Sequence, residues 1–170
     1  MTRTTLTTIH TADLHLDNNI GARGKESAGQ LGMMAVVDKA LELDVDLFLL
    51  AGDLFDHNRV NGDCLEFASE QLARLRCPVV MVAGNHDCLA DHSIYHRYDP
   101  CEAGDHIHFI RDESGGILEL PSLGARVWGQ GIVDHDPDNK PMESVPARDG
   151  DRWYIGLAHG YYVERGGGMV

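Results

Sequence analysis

Two short, almost purely apolar runs constrain the fold of this chain more than any other feature. Residues 45–51 (VDLFLLA) and 79–83 (VVMVA) have the length and composition of strands buried on both faces, which is typical of parallel sheets. A further strand is predicted over 6–12, where threonine alternates with leucine and isoleucine. No apolar run approaches the roughly 18 residues of a membrane-spanning helix, so we expect no membrane partner.

Amphipathic segments separate these predicted strands. Ser27 and Gln30 match a capping box, and the periodicity that follows predicts a helix over 27–43. A second helix is predicted over 62–76. The predicted inward faces are Leu31, Met34, Val37 and Leu41 on the first helix and Leu65, Ala68, Leu72 and Leu75 on the second. The resulting order, β-α-β-α-β, predicts an α/β fold with a parallel sheet and right-handed crossovers.

The pattern changes after residue 87. A short helix is predicted over 90–97, and a polar loop over 134–151. Further short strands are predicted over 106–110, 117–120, 125–130 and 153–158. The 170 residues are the size of one domain, and no linker composition marks a second, so we expect a single domain over 1–170.

Composition restricts the function. The chain carries 27 acidic and 14 basic side chains, a net charge of −13, which argues against binding nucleic acid through surface charge alone. Its first residues lack the apolar run of a secretion signal, and its four cysteines form no C-x-x-C pair, so we expect no such signal, free thiols and a cytoplasmic location. The ten histidines are many for this length and suggest metal binding.

Each of the first three predicted strands ends in polar residues. These are residues 13–15 (DLH), 52–56 (GDLFD) and 84–87 (GNHD). The carboxyl ends of parallel strands meet at one edge, where ligands bind. The mixture of carboxylate, imidazole and amide suits Mn, Fe, Zn or Ni better than Ca or Mg. Each piece alone could be a turn or a helix cap, but together they favour a metal site.

The order and the residues of these blocks resemble the signature motifs of the calcineurin-like metallophosphoesterases. The three blocks match the first three signatures of that family, and Ala158-His159-Gly160 resembles the fourth. The sequences of residues 12–16 (ADLHL) and 52–56 (GDLFD) most resemble those of the DNA-repair exonucleases of the SbcD type. The resemblance implies packed β-sheets flanked by helices, and metal-dependent hydrolysis of a phosphoester, most often a phosphodiester.

The resemblance also implies a set of metal ligands. Asp13 and His15 would bind one metal, and Asn85 and His159 would bind the other. Asp53 would bridge the two. The implied cofactor is a pair of divalent ions, Mn²⁺ first, with Fe, Zn and Ni as alternatives.

Other roles follow for residues beside the metals. His86 would protonate the leaving oxygen or stabilise the transition state, and Asp56 would orient His86 through a hydrogen bond. Arg23, His57 and Arg59 lie in the loops after the first two strands, where each could bind a substrate phosphate. An ordinary surface role is the alternative for all three.

Cys88, His92 and His96 are spaced by four residues. On a helix they would share a face and could hold a separate zinc ion, although a closed site needs a fourth ligand. We favour a solvated stretch at the mouth of the active site, where His92 or His96 could contact substrate.

One block of the family pattern, Gly-His-x-His, is absent. We therefore expect an N-terminal part of a longer phosphoesterase, with three protein ligands for each metal. The leading function is a DNA exonuclease in repair, with a coiled-coil ATPase as partner. A phosphoesterase for small molecules is the first alternative, favoured by the acidity. A non-catalytic metal-binding interaction module is the second, favoured by the absent block.

Overall fold

A parallel four-stranded sheet carries the motifs at its carboxyl edge. The computed structural model describes residues 4–18, 26–136, 139–150 and 152–161. The strands are β1 (Thr8–Thr11), β2 (Leu47–Ala51), β3 (Val79–Val82) and β4 (Ile107–Phe109). They lie in the order β1-β2-β3-β4, and each pairs in parallel with its neighbour. The predicted β-α-β-α-β opening and the α/β class are confirmed.

Two helices connect the first three strands: α1 (Ala28–Glu42) and α2 (Gly62–Ala73). The predicted capping box of α1 is present, since the Ser27 hydroxyl accepts from the Gln30 N–H and the Gln30 side chain accepts from the Ser27 N–H. The Asn61 side chain caps α2 by accepting from the N–H of Cys64 at 3.0 Å. No helix within the described ranges is long and apolar enough to cross a membrane.

The predicted inward face of α1 is partly wrong. Leu31 is 54% exposed, and the buried residues are Met33, Val37 and Ala40. The buried face of α1 is thus rotated from the predicted one. Gly29 explains this rotation, because a β-carbon there would lie 2.6 Å from the main-chain oxygen of Leu14. The first turn of α1 therefore packs against the loop after β1 through a glycine. A pattern of apolar side chains does not identify a glycine as part of the buried face. Residues 29, 33, 37 and 40 share one helix face.

A second sheet packs on the other side of the first. It consists of β5 (Gly116–Leu120), β6 (Ala125–Gln130) and β7 (Trp153–Ala158), with β5 and β6 antiparallel and β6 and β7 parallel. Alternate residues of β2 face opposite sides: Phe48 and Leu50 belong to the core beneath the helices, and Leu49 belongs to the core between the sheets. This double burial explains the apolar run of β2 and confirms the packed sheets flanked by helices.

The predicted helix over 90–97 is wrong. That range contains one short 3₁₀ turn, Ile94–His96, and a second, Pro100–Ala103, follows it. Side chains take the main-chain donors that a helix would need: the Asn58 amide oxygen accepts from the Ile94 N–H at 2.7 Å, and the Ser93 hydroxyl accepts from the Tyr95 N–H at 3.3 Å.

The geometry proposed for a separate zinc site is consequently missing. Cys88 is fully buried, whereas His92 and His96 are exposed, so the three do not share a helix face. The two groups of potential metal ligands in the described part of the chain include none of them.

Candidate metal centre

Main-chain hydrogen bonds hold the loops after β1 and β2 side by side. The Asp13 N–H donates to the Gly52 carbonyl at 3.2 Å, and the His15 N–H donates to the Asp53 carbonyl at 3.0 Å. This pairing continues the parallel register of the two strands beyond their ends. It places the carboxylates of Asp13 and Asp53 and the imidazole of His15 at one edge of the sheet.

The backbone is strained at these same three residues. Asp13, His15 and Asp53 have φ values of 55°, 47° and 52°, in the left-handed region that non-glycine residues rarely adopt. Such conformations cost about 1–3 kcal/mol each and cluster at functional sites. Among the described residues, Asp44 is the other non-glycine with positive φ. The strain therefore marks the loops that carry the candidate ligands.

Two glycines allow the loop after β3 to approach this edge. A β-carbon on Gly52 would lie 2.7 Å from the α-carbon of Gly84, and one on Gly84 would lie 2.0 Å from Oδ1 of Asp53. Because both positions lack a side chain, the His86 N–H reaches Oδ1 of Asp53 and donates to it at 2.9 Å. The Asp53 carboxylate, 2% exposed, is thus held by the loop after β3, while the Asp53 main chain is held by the loop after β1.

Asp53 stands between two imidazoles. Its Oδ2 lies 3.8 Å from Nε2 of His15 and 3.4 Å from Nε2 of His159, and His15 Nε2 lies 3.8 Å from Oδ1 of Asp13. Ligands about 2.1 Å from one ion lie at most ~4.2 Å apart, so each pair could share a cation.

Two overlapping groups of potential ligand atoms result. One contains His15, Asp53 and His86, and the other contains Asp13, Asp53 and His159. Asp53 belongs to both groups, as expected of a residue that would bridge two metals. The groups differ from the implied sets in pairing Asp13 with His159 and in including His86.

The donor chemistry around His159 fits a cation. Its Nδ1 lies 2.8 Å from the Ala51 carbonyl, a contact that requires the proton on Nδ1. In the neutral ring Nε2 then carries a lone pair, and it lies 2.9 Å from Oδ1 of Asn85 and 3.4 Å from Oδ2 of Asp53. In this neutral form three lone-pair atoms converge at a side chain that is only 11% exposed. A bound metal ion would satisfy all three.

One ring nitrogen of His15 is unsatisfied. Its Nδ1 is buried and has no hydrogen-bond partner in the described part of the chain; an Asp56 carboxylate oxygen lies 3.3 Å away. The His15 ring also contacts the His86 ring edge-on, with 4.6 Å between centroids. The residues present thus fit a site for divalent cations.

The contact between His86 and Asp56 differs from the prediction in one respect. His86 Nδ1 lies 2.8 Å from the main-chain oxygen of Asp56, whereas the nearer Asp56 carboxylate oxygen lies 3.6 Å away. The hydrogen bond that orients His86 is therefore made by the backbone of Asp56. Its carboxylate lies slightly closer to His15.

Sequence reasoning missed the connection between Asp87 and Tyr95. The fully buried Asp87 carboxylate accepts from the N–H groups of Gly84 (2.7 Å) and Phe55 (3.2 Å) and from the Tyr95 hydroxyl (2.8 Å). These bonds join the loops after β2 and β3.

Burial also affects the ionisation of this pair. It raises the pKa of the Asp87 carboxyl. Burial, followed by the nearby Asp87 carboxylate, raises the pKa of Tyr95 well above its ordinary value, so the tyrosine keeps its donor proton. Asp87 ends the GNHD block, but no pattern pointed to Tyr95.

Two adjoining cavities open at this edge. The candidate metal ligands line one of about 350 Å³. His57 and Arg59, predicted as substrate contacts, line a neighbouring cavity of about 550 Å³. Asn85 and His86 line both. The third predicted substrate contact, Arg23, lies outside the described residues.

A sequence profile of the calcineurin-like phosphoesterases matches residues 6–167. The chain belongs to the calcineurin-like phosphoesterase family. Enzymes of this family hydrolyse phosphoester bonds at a dinuclear centre of divalent metals, and the clusters around Asp53 are consistent with such a centre.

Several individual proteins are similar to the chain. It is 36% identical over 120 residues to the uncharacterized metallophosphoesterase YhaO of Bacillus subtilis (63% of this chain, 28% of that protein). It is 34% identical over 82 residues to the DNA double-strand break repair protein Mre11 of Methanopyrus kandleri (46% and 18%). It is 36% identical over 83 residues to a probable cyclic nucleotide phosphodiesterase of Moraxella catarrhalis (49% and 28%).

The similarity to these curated relatives spans less than a third of the length of each. A crystal structure of Pseudomonas putida nuclease MPE superimposes on the chain with a TM-score of 0.46 and 19% identity, covering 88% of this chain and 59% of that one.

Proposed function

We propose that the chain is a metal-dependent phosphodiesterase that acts on DNA as an exonuclease in repair. One observation carries the proposal: the buried Asp53 carboxylate lies between the Nε2 atoms of His15 and His159, at 3.8 and 3.4 Å. This is the arrangement that a carboxylate bridging two cations needs. The backbone strain at Asp13, His15 and Asp53 supports a functional role for the same loops.

The proposed ligands are the five residues named from the sequence: Asp13, His15, Asp53, Asn85 and His159. Two divalent cations there, which we propose to be Mn²⁺ with Fe, Zn and Ni as alternatives, would stabilise charge on the phosphoryl oxygens and lower the pKa of a bound water. The protein positions these ligands through Gly52, Gly84 and the paired loops.

His86 is the proposed acid. Its Nδ1–H donates to the Asp56 carbonyl, so Nε2 carries a proton only in the imidazolium form. An anionic phosphate entering the site favours that form. The protonated Nε2 would then donate to the oxygen that leaves phosphorus. Asp56 is a positioning residue in this proposal, through its main-chain oxygen.

DNA as the substrate rests on two supports: the SbcD-type spelling of the first two blocks, and the similarity to the Mre11 of Methanopyrus kandleri. A coiled-coil ATPase partner follows from the same resemblance. A cytoplasmic location is proposed from the four cysteines, all of which are free thiols. A small phosphodiester remains the second candidate, favoured by the net charge of −13 and by the similarity to the Moraxella protein.

The proposal is tested by hydrolysis in Mn²⁺ of bis-p-nitrophenyl phosphate and of end-labelled single- and double-stranded DNA. We expect both the dye ester and DNA to be cleaved, and chelation to abolish both activities. Cleavage of the dye ester alone would favour the small phosphodiester. The absence of both activities would overturn the enzymatic proposal and favour an interaction module.

The role of His86 needs a second measurement, because its ring also belongs to a group of potential ligands. We expect His86→Ala to lower kcat by roughly 10²–10⁴-fold while Mn²⁺ affinity is unchanged. His96→Ala is the control, since His96 is exposed and lines neither cavity. A large loss of Mn²⁺ affinity in His86→Ala would instead make His86 a ligand.

A further inference from the structure

The histidines of this chain are concentrated around the two cavities. Seven of the ten line them. They are His10, His15, His86 and His159 in the smaller cavity, and His57, His86, His92 and His135 in the larger. The two groups of potential metal ligands contain three of these seven, His15, His86 and His159. The other histidines of the larger cavity belong to neither group. The larger cavity therefore needs a separate explanation.

Its lining is rich in groups that donate to anions. Arg59 is exposed, and its guanidinium forms no ion pair with the residues that the structure describes. His57 Nδ1 accepts from the Arg59 N–H at 3.1 Å, so the neutral His57 ring carries its proton on Nε2 and is a donor without being charged. Asp56 is the one carboxylate among the described lining residues, and it lies against His15 and His86.

The wall that carries these groups is held in place. The Asn58 side chain, between His57 and Arg59, accepts from the Ile94 N–H at 2.7 Å. The Arg97 guanidinium donates to the Val60 carbonyl. The loop after β2 is thus tied on both sides of Arg59 to the 3₁₀ turn. The main chain that carries His57 and Arg59 therefore needs little ordering when a ligand binds, although the exposed Arg59 side chain itself must be ordered.

We propose that the larger cavity binds a second phosphate of the substrate, the one next to the scissile phosphate in a nucleic-acid strand. This inference rests on the proposed function, because it requires the scissile phosphate to lie in the smaller cavity. The shared residues Asn85 and His86 make the two cavities continuous, so one strand can occupy both. Arg59 supplies a charge-assisted, bidentate contact, and the imidazoles supply further donors and stacking faces for a base.

The acidity of the chain does not oppose this inference. A net charge of −13 disfavours a long basic groove, and the cavity needs only a local group of donors. The substrate specificity that follows is for a strand with at least two adjacent phosphates over a single phosphodiester.

The test measures binding, so it does not depend on turnover. Thymidine 3′,5′-bisphosphate and thymidine 5′-monophosphate are titrated calorimetrically into the protein with Mn²⁺ present. We expect the bisphosphate to bind about tenfold more tightly, as one added charge-assisted contact predicts. Arg59→Ala should reduce this preference to about one. Arg76→Ala should retain it, because the exposed Arg76 precedes β3 at the opposite end of the sheet.

Equal affinities for the two nucleotides in the unmodified protein, or a preference that persists in Arg59→Ala, would overturn the inference. Failure of the proposed function has a different signature, which is the absence of Mn²⁺-dependent hydrolysis of bis-p-nitrophenyl phosphate. A preserved preference for the bisphosphate without hydrolysis would support the second phosphate site and refute the proposed enzymatic activity.

Discussion

Gly84→Ala changes the site by a single methyl group. The added carbon would lie 2.0 Å from Oδ1 of Asp53 and 2.4 Å from the Asp53 main-chain nitrogen. Rotation of the carboxylate relieves the first contact but leaves the second. Contacts shorter than 3.0 Å are essentially never seen for a β-carbon, so the Asp53 loop must move away by up to about 1 Å.

We expect that displacement to separate Asp53 from the imidazoles of His15 and His159. A misplacement of about 1 Å in a catalytic group can lower activity about 10²-fold, and overpacking of this kind costs about 1–3 kcal/mol in stability. The assay combines calorimetric titration with Mn²⁺, hydrolysis of bis-p-nitrophenyl phosphate and urea unfolding. Gly84→Ala should remain folded, bind Mn²⁺ at least tenfold more weakly and lose about two orders of magnitude in activity.

Gly32→Ala is the matched control. Gly32 lies within α1, and a β-carbon there would meet nothing within 4 Å. The same substitution should therefore stabilise the protein by about 0.5–1 kcal/mol without changing Mn²⁺ affinity or activity. A folded Gly84→Ala variant with unchanged Mn²⁺ affinity would refute the argument that the close approach of the two loops fixes Asp53.

Two further substitutions and one chemical modification test the rest of the structure. Tyr95→Phe removes the hydroxyl that donates to Asp87 at 2.8 Å and should lower the free energy of unfolding by about 1.5–3 kcal/mol in urea; an unchanged midpoint would contradict that role. Asn61→Ala removes the cap of α2 and should cost about 1 kcal/mol in the same assay, with no effect expected on Mn²⁺ binding. Burial raises the pKa of Cys64 to about 11, so only roughly one thiol in a thousand is ionised at pH 8, and Ellman's reagent should modify Cys64 only after unfolding. Rapid modification of Cys64 in the native protein would show that this part of the core is open.

The sequence was sufficient for the sheet and for most of the candidate site. The apolar runs at β2 and β3 are unambiguous because both faces of these strands are buried, and the candidate ligands follow the ends of the strands. The boundaries of β6 and β7 were predicted to the residue, since turn residues flank them. The ligand roles themselves stay predictions that binding experiments must decide.

What could not be predicted depends on contacts between distant segments. The rotation of α1 is set by Gly29 against the loop after β1, and apolar periodicity does not register a glycine. The failed helix over 90–97 reflects the Asn58 side chain, more than thirty residues earlier, taking the Ile94 N–H. Tyr95 reaches Asp87 for the same reason: its position is a product of that tertiary contact.

Anomalous diffraction at the manganese edge, from crystals grown with Mn²⁺, tests the central claim most directly. The account predicts two peaks that flank the Asp53 carboxylate, one within bonding distance of His15 Nε2 and the other within bonding distance of His159 Nε2. Peaks that do not involve Asp53, or a single peak among His57, His92 and His135 in the larger cavity, would contradict it.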